Sequence, residues 1–156
     1  MDMNEFARRF TAAKDKLYRI ALLYLGNADA AEEVLDEAAY RGVKACGRLK
    51  ELEYFDTWMT RILINAASDE LRRRKRHQSF EEFPESAAEE FDSLPLKDAI
   101  SRLPKELKEI VVLRYFSGYT LKETAEILDI PQGTAATRQR RALSLLRLEL
   151  GEEVQR

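Results

Sequence analysis

A chain of 156 residues has room for one ordinary domain or two small ones, and its 45% apolar content can supply a core. With 35% charged residues but only six Gly and four Pro, the composition is that of a helix-rich protein. The net charge of −2 excludes a protein held on nucleic acid by overall charge alone.

Cys46 is the single cysteine and His77 the single histidine. An internal disulfide is therefore excluded, and neither a Cys/His zinc site nor a Cys–His catalytic pair has the residues it needs, so no metal and no cofactor is expected. The longest apolar run, Ile20 to Leu25, is too short to cross a bilayer, and Asp2, Glu5, Arg8 and Arg9 interrupt any signal-peptide pattern. A reducing, cytoplasmic setting fits.

The distribution of charge is more informative than its sum. Residues 1–80 hold 15 basic and 13 acidic side chains (+2), residues 81–93 none and six (−6), and residues 94–156 11 and nine (+2). Two weakly basic lobes flank an acidic segment.

In chain order, Phe6, Phe10, Ala13, Leu17, Ile20 and Tyr24 recur at helical spacing and predict a long amphipathic helix ending near Gly26-Asn27. Asp29 is positioned to cap a second helix reaching Ala45, with Val34, Leu35, Ala38, Ala39 and Val43 as its apolar stripe. Glu33, Asp36, Glu37, Tyr40 and Lys44 lie on its other side. Gly47 to Asp56 reads as a loop or a broken short helix. A third helix starts near Thr57, turns Trp58, Ile62 and Ala66 inward, and ends in the run Arg72 to Arg76. Such a run is ordinarily a solvated helix end, with contact to DNA as the sharper reading.

Residues 77–93 lack helical periodicity and predict a flexible acidic linker. Fully extended, a 17-residue segment spans roughly 56–61 Å, between one and two turns of B-DNA at about 34–36 Å each. Helical spacing then returns. Leu96, Ile100 and Leu103 mark one helix behind Pro95. Leu107, Ile110, Val111 and Leu113 mark the next, behind Pro104 and stopped at Gly118. Thr120 and Glu123 form a T-x-x-E capping box for the helix Leu121–Leu128, and Asp129-Ile130-Pro131 turns into a last helix from Gln132 to about Leu150. The fold class predicted is all-α, as two small helical domains joined by the linker.

The last two helices have helix-turn-helix dimensions, in a winged-helix-like arrangement without the wing. At 100° per residue, Ala135, Gln139, Ala142, Leu145 and Leu146 fall on a core-facing side, and Ala136, Thr137, Arg140, Arg141 and Ser144 on the opposite arc. That arc is small, polar and basic, as suits a helix seated in the major groove. Arg138 lies at the core edge, where an ion pair with Glu123 and a contact to DNA are both open. Glu33, Asp36 and Glu37 are by default a solvated face. No nucleophile–base pair or phosphate-binding loop is present, so neither catalysis nor a small-molecule substrate is expected.

At this point the residues resemble a known family. Leu103-Pro104-Lys105-Glu106, Leu113-Arg114-Tyr115-Phe116, Leu121 to Leu128 and Ile130-Pro131-Gln132-Gly133-Thr134 look like region 4 of the extracytoplasmic-function (ECF) sigma factors, small members of the sigma-70 family. Asp29 to Glu37, and Thr57 to Asn65 followed by Asp69 and the basic run, look like their region 2. The resemblance implies domains at 1–76 (region 2), 77–93 (linker) and 94–156 (region 4). It implies a non-catalytic specificity subunit that binds core RNA polymerase, at the β′ clamp helices and the β flap, and directs it to promoter DNA.

By position, Glu33, Asp36, Glu37, Tyr40 and Lys44 would face the clamp helices. Region 2 would recognise and melt the −10 element through Tyr54, Phe55, Arg61, Asn65, Arg72 and Arg73, with Tyr54 and Phe55 walling a pocket for a flipped base. Thr134, Ala136, Thr137, Arg138, Arg140 and Arg141 would meet the −35 element. The resemblance also implies an anti-sigma factor, in some cases membrane-anchored, which would hold the cytoplasmic chain at the membrane. Asp36 stands where glutamine is common, Ala136 and Leu143 where basic residues are frequent, and Ala135 where valine is usual. Losing two cations weakens attraction to phosphates. The competing readings are a stand-alone helix-turn-helix regulator acting without polymerase and an interaction protein whose DNA-reading face has decayed.

Overall fold

The computed structural model describes residues 1–77 and 94–154, all-helical with short turns and no strand among the described residues. The predicted linker lies outside the described residues, apart from His77, which ends a helix. The chain divides into two compact units, Met1–Glu81 and Glu82–Arg156.

The first unit packs three helices: α1 (Met3–Leu25), α2 (Ala28–Ala45) and α3 (Phe55–His77). Asp2 caps α1 by accepting from the Glu5 N–H at 2.8 Å, and Gly26 closes it in the left-handed conformation (φ 71°), its N–H reaching the Leu22 carbonyl. The cap of α2 is Asn27, not Asp29: the Asn27 side chain accepts from the Ala30 N–H at 2.7 Å, which leaves Asp29 exposed in the first turn. Between α2 and α3 the chain makes two 3-10 turns, Cys46–Arg48 and Leu52–Tyr54. Arg9 of α1 holds this stretch by donating to the Leu52 carbonyl at 3.3 Å.

Val34, Leu35 and Ala38 of α2 and Ala66 of α3 are buried as expected, and the two predicted apolar stripes differ from the structure only at particular positions. On α2 the buried position is Gly42 and Val43 is exposed. A Cβ on Gly42 would lie 2.7 Å from the Phe6 ring and 3.1 Å from Met59 Sδ, so the missing side chain is what lets the three helices close. On α3 the buried line is Phe55, Met59, Leu63 and Ala67, with Ile64 and Ala66 beside it, while Trp58 and Ile62 are only half-buried. Helix α3 starts at Phe55, two residues before Thr57, which adds an aromatic anchor to the core. Phe55 meets Phe6 edge-on at 6.0 Å and Trp58 at 5.8 Å.

The second unit contains α4 (Leu94–Ser101), α5 (Lys105–Val111), a π turn over Val112–Phe116, α6 (Leu121–Leu128) and α7 (Gln132–Val154). Ala99, Ile100, Leu103, Leu107 and Val111 pack on Ala142 and Leu146 of α7, while Ile110 packs with Ala125 and Ala135. Leu145, expected in the core, is 39% exposed, because Ala142 and Leu146 alone face inward along this part of α7. The final helix extends four residues past the expected Leu150.

Candidate nucleic-acid interface

The helix-turn-helix is built by local rules. Thr120 accepts from the Glu123 N–H at 3.1 Å, and Glu123 Oε1 accepts from the Thr120 N–H at 2.9 Å, closing the capping box on α6. Asp129 ends α6 in the left-handed conformation (φ 56°), an uncommon geometry that Asp tolerates better than most residues. Its N–H returns to the Glu126 carbonyl and that of Ile130 to the Ala125 carbonyl. Pro131 then leads into α7, where the Ala135 N–H bonds to its carbonyl at 3.1 Å.

On α7, Ala135 and Ala142 are fully buried, and Thr137, Arg140, Arg141 and Ser144 are exposed on the other side. Thr134, Ala136 and Arg138 are half-buried at its margins. Thr137 Oγ1 donates to the Gly133 carbonyl at 3.1 Å and lies 3.3 Å from Arg140 Nη2 as that group's acceptor. Of the two readings of Arg138, the ion pair does not form: among the described residues no salt bridge joins it to Glu123, whose carboxylate is engaged in the capping box. Leu143 is exposed at 38%, on a position where the resemblance expects a cation.

Sequence reasoning did not single out Arg114. This half-buried side chain donates from Nε to Gln139 Oε1 at 2.9 Å and from Nη1 to the Tyr119 carbonyl at 2.8 Å, with its Cζ 5.6 Å from the centre of the Tyr115 ring. The available signal was Gln139 itself, a polar residue on the core-facing side of α7.

In the first unit, the outer face of α2 presents Glu33, Asp36, Glu37, Tyr40 and Lys44, all exposed, with Lys44 Nζ 5.0 Å from the centre of the Tyr40 ring. The acids of this face are not purely solvated. Arg41 bonds Glu37 at 3.0 Å and Asp69 of α3 at 2.9 Å. Glu33 lies 3.8 Å from Arg73 and 3.9 Å from Arg74. The basic run is paired in turn: Arg72 bonds Asp69, Arg73 bonds Glu70 at 2.6 Å, and Arg74 bonds Glu70 at 2.8 Å. The hydrogen bond from Arg73, then that from Arg74, outweigh burial and hold the Glu70 carboxyl below its ordinary value of 4.5. Burial pulls the Arg41 guanidinium down, but Asp69 and Glu37 outweigh it and raise it.

The residues expected at the −10 element divide. Tyr54 is 53% exposed, and Arg61 and Asn65 are exposed on α3. Phe55 is 3% exposed and wedged between Phe6 and Trp58, so it cannot wall a pocket for a base; the expectation for Phe55 is corrected to a core role. Arg72 and Arg73 are exposed yet ion-paired, so any DNA contact exchanges one anion for another.

Comparison with known proteins follows the same division. Sigma-70 region 2 matches residues 9–77, and Sigma-70, region 4 matches residues 93–146. The chain is 30% identical over 148 residues to RNA polymerase sigma factor SigV of Bacillus subtilis, covering 92% of this chain and 89% of that protein. It is 29% identical to the ECF RNA polymerase sigma factor SigW of the same organism, covering 96% and 90%. Among solved structures, sigma factor RpoE in complex with the anti-sigma factor NepR from Bartonella quintana shares the fold with a TM-score of 0.80 at 20% identity, over 96% of this chain and 98% of that one. CnrH, in complex with the cytosolic domain of CnrY, does so at 0.75 and 18%, over 97% and 90%. With both regions in family order along the chain and sigma-factor relatives matched over most of their length, this chain belongs to the extracytoplasmic-function sigma factors of the sigma-70 family.

Proposed function

We propose that this chain acts as the specificity subunit of bacterial RNA polymerase, binding the core enzyme and directing it to promoters with distinct −10 and −35 elements. The observation that carries the reading is the joint presence of region 2 and region 4 in one chain, the second with an exposed Thr137, Arg140, Arg141 face on its recognition helix. A stand-alone regulator leaves the region 2 match without a role.

Within this reading, Thr134, Ala136, Thr137, Arg138, Arg140 and Arg141 form the −35 face, the arginines contacting phosphates or guanine edges. Tyr54, Arg61, Asn65, Arg72 and Arg73 serve the −10 element, with Tyr54 as the exposed aromatic available for stacking. Glu33, Asp36, Glu37, Tyr40 and Lys44 meet the β′ clamp helices, and the second unit meets the β flap. The role is non-catalytic and its setting is the bacterial cytoplasm, where polymerase and promoters are. Among the described residues no helix is long and apolar enough to cross a membrane. Capture by an anti-sigma factor, soluble or membrane-anchored, is part of the proposal; similar folds have been solved with the anti-sigma factor NepR and with the cytosolic domain of CnrY.

The test is transcription in vitro with cognate core polymerase and a fragmented genomic template. Transcripts starting at discrete sites and depending on the added chain are expected. Their complete absence, alongside tight sequence-specific duplex binding by the chain alone, would establish the stand-alone regulator instead.

A further inference from the structure

We infer that Arg114 is a positioning residue for −35 readout: it docks the recognition helix through Gln139 and sets the rotation at which Thr137, Arg140 and Arg141 meet DNA. The inference rests on the −35 role proposed above. The guanidinium is turned inward, with Nε on Gln139 and Nη1 on the Tyr119 carbonyl. The Tyr119 N–H donates in turn to the Leu113 carbonyl at 3.1 Å, and Gly118 makes this return possible at φ 75°. Arg114 thus ties the π turn, the loop ahead of α6 and the recognition helix at one point.

The packing of α7 shows why such a tie is needed. Its inward positions are Ala135, Gln139, Ala142 and Leu146, and both alanines are fully buried. A methyl group gives a helix little resistance to rotation, so over the first turns of α7 the long inward side chain is Gln139. One residue of phase error turns a helix by about 100° and would carry Arg140 off the groove-facing arc. Gln139 is also diverted from reading DNA. A glutamine recognises adenine by using its oxygen and its nitrogen together, and here the oxygen already accepts from Arg114. Its neighbours Thr137 and Arg140 remain exposed.

The experiment uses the full chain with core polymerase on two promoters sharing a −10 element, one with an intact −35 element and one with that element scrambled. The readout is the ratio of transcripts from the two. Arg114→Met keeps the apolar stem and removes the donors; Gln139→Leu removes the acceptor. Each is expected to lower the ratio about tenfold, the worth of a charge-assisted hydrogen bond, and the double variant to be no worse than the poorer single. The salt dependence of holoenzyme binding to the intact promoter should keep its wild-type slope in Arg114→Met. An unchanged ratio, or effects that multiply in the double variant, overturns the inference. So does a slope reduced by about 0.9, which would make Arg114 a phosphate contact. If Arg114→Met fails to fold, Gln139→Leu decides alone: a lowered ratio at unchanged melting temperature supports the inference, and an unchanged ratio overturns it. Failure of the wild-type chain to give promoter-specific transcripts overturns the sigma-factor reading itself.

Discussion

Gly42 and Thr124 show how single atoms set the stability of each unit. Gly42 sits where a Cβ would come within 2.7 Å of a Phe6 ring already packed against Phe10, Phe55 and Trp58. Gly42→Ala should therefore destabilise the first unit by about 1–3 kcal/mol through overpacking, despite alanine's better helix propensity. Thermal unfolding read by near-ultraviolet circular dichroism checks this, and a raised melting temperature would refute it. Thr124 is fully buried on α6, and among the described residues its hydroxyl has no hydrogen-bond partner. Thr124→Val keeps the shape and removes the unsatisfied group, so the second unit should gain about 1 kcal/mol. Glu70 gives a pH signature. Arg73 and Arg74 hold its carboxyl below 4.5, so its contribution is present above that pH and lost as pH falls through the lowered value. Glu70→Gln should lower the melting temperature at pH 7 and leave it nearly unchanged at strongly acidic pH.

At the scale of elements, helix ends and charged faces carry the argument. The T-x-x-E box of α6 is legible in the sequence because capping depends on two residues three positions apart, and it forms as expected. Thr120→Ala should cost the second unit about 1 kcal/mol and, through the placement of α6 against α7, reduce −35-dependent transcription. The sequence points to Asp29 as the cap of α2 and the structure uses Asn27, since both are good capping residues and only the turn made at Gly26 chooses between them. The stripes of α2 and α3 depart from the sequence pattern at Val43, Trp58 and Ile62 for a related reason. In Val43, Trp58 and Ile62 hydrophobicity competes with position, and packing three helices around Phe6 selects Gly42 and the line Phe55, Met59, Leu63 instead. The run Arg72 to Arg74 reads as free positive charge in sequence. In the fold it is matched by Asp69, Glu70 and Glu33, two of them one helical turn away and the third on α2. Exposed pairs of this kind are each worth about 0–1 kcal/mol, little enough for a DNA phosphate to displace.

For the whole molecule, a net charge of −2, with Ala136 and Leu143 at positions where the resemblance expects cations, predicts that little affinity for promoter DNA comes from bulk electrostatics. The free chain should bind promoter duplex far more weakly than the holoenzyme at about 0.15 M salt, measured by fluorescence anisotropy with the same labelled promoter. Arg140→Ala and Arg141→Ala should each weaken holoenzyme binding and reduce its salt slope by about 0.9 if they meet phosphates. Taken together, composition, helical periodicity, capping signals and motif order were enough to determine an all-α chain with two regions in family order, because each depends on residues near one another in sequence. Which residues face inward, whether Phe55 serves base or core, whether Arg138 pairs with Glu123, and how Arg114 docks Gln139 depend on groups that meet only after folding. Arg114 and Gln139 are 25 positions apart, and nothing local in the chain marks them as partners. Tertiary structure decided those points by competition for a fixed volume and a limited set of hydrogen-bond partners.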